Sequence, residues 1–176
     1  MNAKTKKWLG SPGDESVLVM VDIKDLPYRI YYIGGLSPTR IYRIRCHKRI
    51  AEDLRERLWA IWNAARWQAK LRYGYAQSSA FYDNRAREII ADAGVDLYAG
   101  CYANRAQRGS TATSSHAWGA AVDWNPAENA MGTKGCMPKW WVNVWTAKIG
   151  DIRWTWGGSW LKLRRDPMHV EVEWLG

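Results

Sequence analysis

The sequence predicts an α+β domain: a small antiparallel sheet with helices packed on one face. Short runs rich in β-branched and aromatic residues stand near both ends, as in Val17-Leu18-Val19-Met20-Val21 and Val170-Glu171-Val172-Glu173-Trp174. Between them, two longer segments repeat apolar residues at three- and four-residue spacing. From Leu97 onward the composition shifts to short strands separated by Gly- and Trp-containing turns. At 176 residues the chain is most simply one domain, long enough to bury about 70% of its unfolded surface. Residues 1–45 read as a β-rich segment of that domain and residues 46–176 as its main body.

Residues 1–15 read as a polar, loose start ending in the turn cluster Ser11-Pro12-Gly13-Asp14. Val17 to Val21 is the first strand. Tyr28-Arg29-Ile30-Tyr31-Tyr32-Ile33 is the second, closed by Gly34-Gly35. Ile41-Tyr42-Arg43-Ile44-Arg45 mixes apolar and basic residues, as a half-exposed strand does, so this part reads as a β meander. Residues 47–72 form the clearest helix, with Ile50, Leu54, Leu58, Ile61 and Ala65 on one stripe and Asp53 four residues before Arg57. A second helix is expected from Ser79 to Ala93, stopped by Gly94. Leu97 to Tyr102 reads as a strand, 103–114 as a polar loop, Ala117 to Trp124 as a strand and 125–138 as a loop. A short helix is expected near Lys139 to Ile149, and Val170 to Trp174 alternates as a strand.

The net charge of +9 favours polyanionic partners without choosing among nucleic acid, an anionic membrane face and a cell wall. Lys and Arg are scattered and no nucleic-acid motif appears, so nucleic acid is not expected. No run approaches the roughly 18 apolar residues of a membrane span. The basic start lacks an apolar stretch, so no secretory signal is expected, and a substrate outside the cytoplasm would require release by another protein. Cys46, Cys101 and Cys136 form neither a disulfide framework nor a thiolate metal site, and a Cys101–Cys136 bridge stays open. Thirteen Trp against one Phe can fill a core or line a cleft. His47, among Arg45, Lys48 and Arg49, is expected at the surface.

Two of the three histidines stand in Ser115-His116-Ala117-Trp118-Gly119-Ala120-Ala121-Val122-Asp123 and in Asp166-Pro167-Met168-His169. Two imidazoles and a carboxylate suit Zn²⁺, and three protein ligands leave a fourth position open. Asp166, three residues before His169, is placed to act as a general base. A straight strand would hold His116 and Asp123 about 23 Å apart. They can share one ion only if the chain bends, which Gly119 and its small neighbours permit. On spacing alone, a lone His and a lone Asp are as readily surface or satisfied polar groups. H-E-x-x-H, G-x-S-x-G and P-loop motifs are absent.

The segment from Ser114 through Asp123 resembles the S-x-H-x-x-G-x-A-x-D motif of the M15 metallopeptidases. Gly100-Cys101-Tyr102-Ala103-Asn104-Arg105 and Arg108-Gly109-Ser110 precede it, and Trp156-Gly157-Gly158-Ser159-Trp160 and Asp166 to His169 resemble that family's C-terminal signature. The likeness covers about residues 88–174, and Val170 departs from the more usual Phe. It implies a zinc peptidase fold of the hedgehog/DD-peptidase kind, with one Zn²⁺ on His116, Asp123 and His169 and with Asp166 as base. Arg105 would bind the substrate carbonyl or oxyanion, with Arg108 the second choice. Trp156 and Trp160 would wall the cleft, and Ser115 would orient His116. The implied substrate is the stem peptide of bacterial peptidoglycan. Phage-type L-alanyl-D-glutamate endopeptidases, VanY-type D-alanyl-D-alanine carboxypeptidases and non-catalytic metal-containing binding modules are the open alternatives, with a monomer as the expected state.

Overall fold

The computed structural model describes residues 1–176 as a mixed α+β fold with four helices and two sheets. The helices are α1 (Ala3–Leu9), α2 (Ala51–Tyr73), α3 (Ser79–Asp92) and α4 (Lys139–Thr146). The strands are β1 (Leu18–Asp22), β2 (Ile30–Tyr32), β3 (Thr39–Ile41), β4 (Arg43–His47), β5 (Leu97–Gly100), β6 (Ala121–Trp124), β7 (Ile152–Trp156) and β8 (His169–Trp174).

The six-stranded sheet has the order β3-β2-β5-β6-β8-β7, and β1 pairs with β4 in a two-stranded sheet of its own. The larger sheet is mixed rather than purely antiparallel, because β2 and β5 run parallel. A parallel pair needs a long crossover, and α2 and α3 lie between those two strands. Nor is the first part a meander: β2 and β3 make a hairpin in the larger sheet, after which β4 returns to β1.

The expected loose start is a helix. Asn2 caps it by accepting the Thr5 backbone N–H at 2.8 Å, satisfying one of the orphan donors of a first helical turn. Thr5 and Leu9, one turn apart, are buried. Seven residues are too few to show a sequence period, and such a helix stands on tertiary packing. Here Trp8 stacks on Trp174 of β8 at 5.5 Å, and Thr5 accepts the Trp174 N–H at 3.0 Å. The hydrophobic core runs unbroken from Leu9 to Val172.

On α2 the stripe Leu54, Leu58, Ile61, Ala65 and Ala69 is fully buried. The tryptophans explain themselves in α4 and the sheet. Trp145 packs on Trp124, Trp141 and Trp154 with ring centroids 6.1, 5.8 and 4.9 Å away, and all four are fully buried. These rings fill the space between α4 and one face of β6 and β7. Because side chains alternate along a strand, Trp124, Val170 and Val172 take that core face, which leaves Asp123, His169 and Glu171 on the other.

His47 is buried rather than at the surface: its Nε2 meets the Leu9 carbonyl at 3.0 Å and its Nδ1 accepts the Arg49 N–H at 3.0 Å. It caps the turn leading into α2 and ties that turn to α1. All three cysteines are free, with Cys46 and Cys101 buried and Cys136 exposed, so no Cys101–Cys136 bridge forms.

Candidate functional site

Ala117 to Trp124 is not one strand. Residues Ser115–Trp118 form a 3₁₀ turn, and Gly119 closes it in the left-handed conformation with φ 62°. The strand begins only at Ala121. This bend brings together His116 and Asp123, which a straight strand would hold far apart. A Cβ at Gly119 would lie 3.0 Å from the His47 backbone nitrogen and 2.8 Å from a Leu18 methyl. Gly119→Ala is therefore expected to destabilise the protein by about 2 kcal/mol and to weaken metal binding as the bend opens. Thermal melts and metal titration check both effects.

His116, Asp123 and His169 converge, with one donor atom from each within 4.8 Å of the others. His116 Nε2 lies 3.2 Å from Asp123 Oδ2 and 3.2 Å from His169 Nδ1, and His169 Nδ1 lies 2.9 Å from Asp123 Oδ1. Zinc bonds of about 2.0–2.1 Å at tetrahedral angles set donors roughly 3.3 Å apart, so the triangle fits such an ion. The outer ring nitrogens also have partners. His116 Nδ1 donates to the Cys101 carbonyl at 2.8 Å, and His169 Nε2 faces Glu171 at 3.4 Å and Ser115 at 3.3 Å. Ser115 thus touches His169 rather than orienting His116, a task that falls to the main chain of Cys101.

Burial works against charge on Asp123, but hydrogen bonds from His116 and His169 outweigh it and hold the carboxyl far below its usual range. Burial likewise pulls His169 down, yet Asp123 and Glu171 raise it to about 9. A raised pKa contributes stability that is complete below pH 6.5 and is lost as the pH climbs through about 9. The metal-free protein is therefore expected to melt progressively lower over that window, and zinc loading at pH 7 to release about one proton. Calorimetric titration in buffers of different ionisation enthalpy reads that proton; a buffer-independent heat would contradict it.

Asp166 lies in the same cleft. Burial raises its pKa, and its Oδ1 is buried without a hydrogen-bond partner. The neighbouring glycine explains the placement: the Asp166 N–H donates to the Gly157 carbonyl at 3.0 Å, and a Cβ on Gly157 would stand 2.4 Å from the Asp166 carbonyl oxygen. Trp156 donates from its indole to the Pro167 carbonyl at 2.7 Å. It braces the Asp166–His169 turn from behind and is not a wall of the cleft. Trp160 does line the cleft, its ring 5.5 Å from the His169 ring.

The cleft has a volume of about 1130 Å³. Arg105, Arg108 and Arg164 line it toward the loop after β5, and Asn2, Thr155 and Glu173 toward the β7 edge. Arg105 and Arg108 are exposed, and Arg108 is the guanidinium whose charge acts on Asp166. Glu171 and the Cys101 carbonyl escape the sequence reading. For Glu171 a signal exists: two residues past His169 in a strand, it shares that histidine's face.

Residues 108–172 match the M15 peptidase family model described as D-alanyl-D-alanine carboxypeptidase. The match spans the three converging residues, Asp166 and Glu171, leaves out Arg105, and supports a peptidase of this type. No curated protein and no solved structure matches the chain. No helix is long and apolar enough to cross a membrane.

Proposed function

We propose that the protein is a zinc peptidase that hydrolyses the stem peptide of bacterial peptidoglycan, as a phage-type L-alanyl-D-glutamate endopeptidase. The observation that carries this reading is that the triangle of His116, Asp123 and His169 lines one cleft together with Asp166, whose Oδ1 has no hydrogen-bond partner. Those three residues would hold Zn²⁺, which when bound supplies a Lewis acid that polarises a carbonyl and acidifies water. Asp166 takes the proton from the attacking water and returns it to the leaving amine. Arg105 or Arg108 faces the negative charge that develops on the peptide oxygen. Trp160 offers a ring against which the chain can lie. The net charge of +9 favours encounter with an anionic wall.

The description of the matching family favours a second reading, a D-alanyl-D-alanine carboxypeptidase using the same residues. A peptidoglycan digest followed by mass spectrometry separates the two. New amino termini on D-Glu, lost on chelation, are the expected result. Release of free D-Ala would replace the endopeptidase with the carboxypeptidase. No cleavage by the zinc-loaded protein would overturn both and leave a binding module.

A further inference from the structure

We propose that Glu171 is a positioning residue that fixes which nitrogen of His169 faces the metal. The inference rests on the metal reading of the cleft and goes beyond it, to a residue that is not a ligand.

A neutral imidazole has one N–H and one lone pair. His169 Nδ1 is the atom turned toward Asp123 and His116, at 2.9 and 3.2 Å. A metal held there takes the Nδ1 lone pair, so the ring proton must sit on Nε2. Two groups meet that nitrogen, Glu171 Oε2 at 3.4 Å and Ser115 Oγ at 3.3 Å. A serine hydroxyl can donate or accept and so selects neither tautomer. An ionised carboxylate only accepts. Both Glu171 oxygens face donors, Oε1 the Met1 amine and Oε2 the His169 ring.

The companion histidine is arranged the other way round. His116 turns Nε2 inward and gives its Nδ1 proton to the Cys101 carbonyl at 2.8 Å, another group that only accepts. The two imidazoles are thus set in opposite tautomers by two acceptor-only groups, one in the main chain and one in a side chain. Only the side chain can be removed by substitution. Glu171 is also distinct from the base. Its Oε1 is paired with the Met1 amine and its Oε2 with His169, whereas Asp166 keeps an oxygen without a partner.

The test compares zinc affinity, by competition with a chromophoric chelator, and the visible spectrum of the cobalt-substituted protein in wild type, Glu171→Gln and Glu171→Met. The Met variant is expected to bind zinc about 10–100-fold more weakly and to change the cobalt bands. Gln keeps a carbonyl acceptor and is expected to restore most of the affinity. Equal affinity and an unchanged spectrum in Glu171→Met would overturn the inference while leaving the metal reading intact; no zinc binding by wild type would overturn both. A further measurement does not depend on the variants folding. Long-range proton–nitrogen correlation of the ¹⁵N-histidine-labelled, zinc-loaded wild type should show His169 protonated at Nε2. A proton on Nδ1 there would overturn the inference.

Discussion

Asp166→Asn is expected to slow stem-peptide hydrolysis by about 10²–10⁴-fold while leaving zinc affinity and the melting temperature nearly unchanged. Asparagine keeps the size of the side chain and its place behind Gly157, but it cannot take a proton at neutral pH. The native group is a poor structural choice: a carboxylate oxygen buried with no partner carries an uncompensated desolvation penalty. Replacing it by a neutral amide should therefore not lower stability. A residue that is unfavourable for folding and lines the cleft that holds a metal-type triangle is explained by chemistry rather than by packing. Steady-state rates on a synthetic stem peptide, with zinc content measured on the same samples, decide the matter. A variant that keeps its zinc and more than about a tenth of its rate would show that another group accepts the proton.

The triangle is legible through the resemblance of two separate motifs, because spacing alone leaves His116 and Asp123 open and His169 joins them only through the pairing of β6 with β8. Gly119 is needed to turn the chain between His116 and Asp123, and a turn of that kind leaves a mark in the residues around it. The Trp156-Gly157-Gly158 run is legible as a motif, but its purpose is not. Only the structure shows that Gly157 admits the Asp166 backbone and that the Trp156 indole holds Pro167. Trp160, four residues on, is the ring that reaches the cleft. His47 reads as a surface residue because its neighbours in sequence are basic, whereas its neighbours in space are the Leu9 carbonyl and the turn before α2. The strand pattern places Glu171 on the face of His169, but not its contact with the ring, which depends on the rotation of that ring. The parallel pairing of β2 with β5 was hidden for a related reason. It joins segments separated by two helices, and nothing in either strand announces its partner.

Arg57→Met is expected to destabilise the fold by about 3–5 kcal/mol, a fall in melting temperature of roughly 6–20 °C. In the sequence, Asp53 and Arg57 look like an ordinary pair along a helix, worth about 0.3–0.5 kcal/mol if exposed. In the structure Arg57 is 0% exposed. Its Nε and Nη2 grip the Asp53 carboxylate at 2.9 and 3.1 Å, and Asp53 also accepts the Trp154 indole N–H at 2.5 Å. The rest of the guanidinium donates to the carbonyls of Val144, Trp145 and Ala147 at 2.7, 2.8 and 3.1 Å. These belong to the end of α4, where the last turn leaves carbonyls without helical partners. One side chain thus joins α2 to the C-terminus of α4 and, through Asp53 and Trp154, to β7. Removing it strands a buried carboxylate and three carbonyls together. Adding Asp53→Asn removes the stranded charge, so the double variant should lose less stability than the two single variants combined, by more than about 1 kcal/mol. Urea unfolding of the four proteins measures that difference. Additive losses would mean that the buried charge is compensated by something other than Arg57.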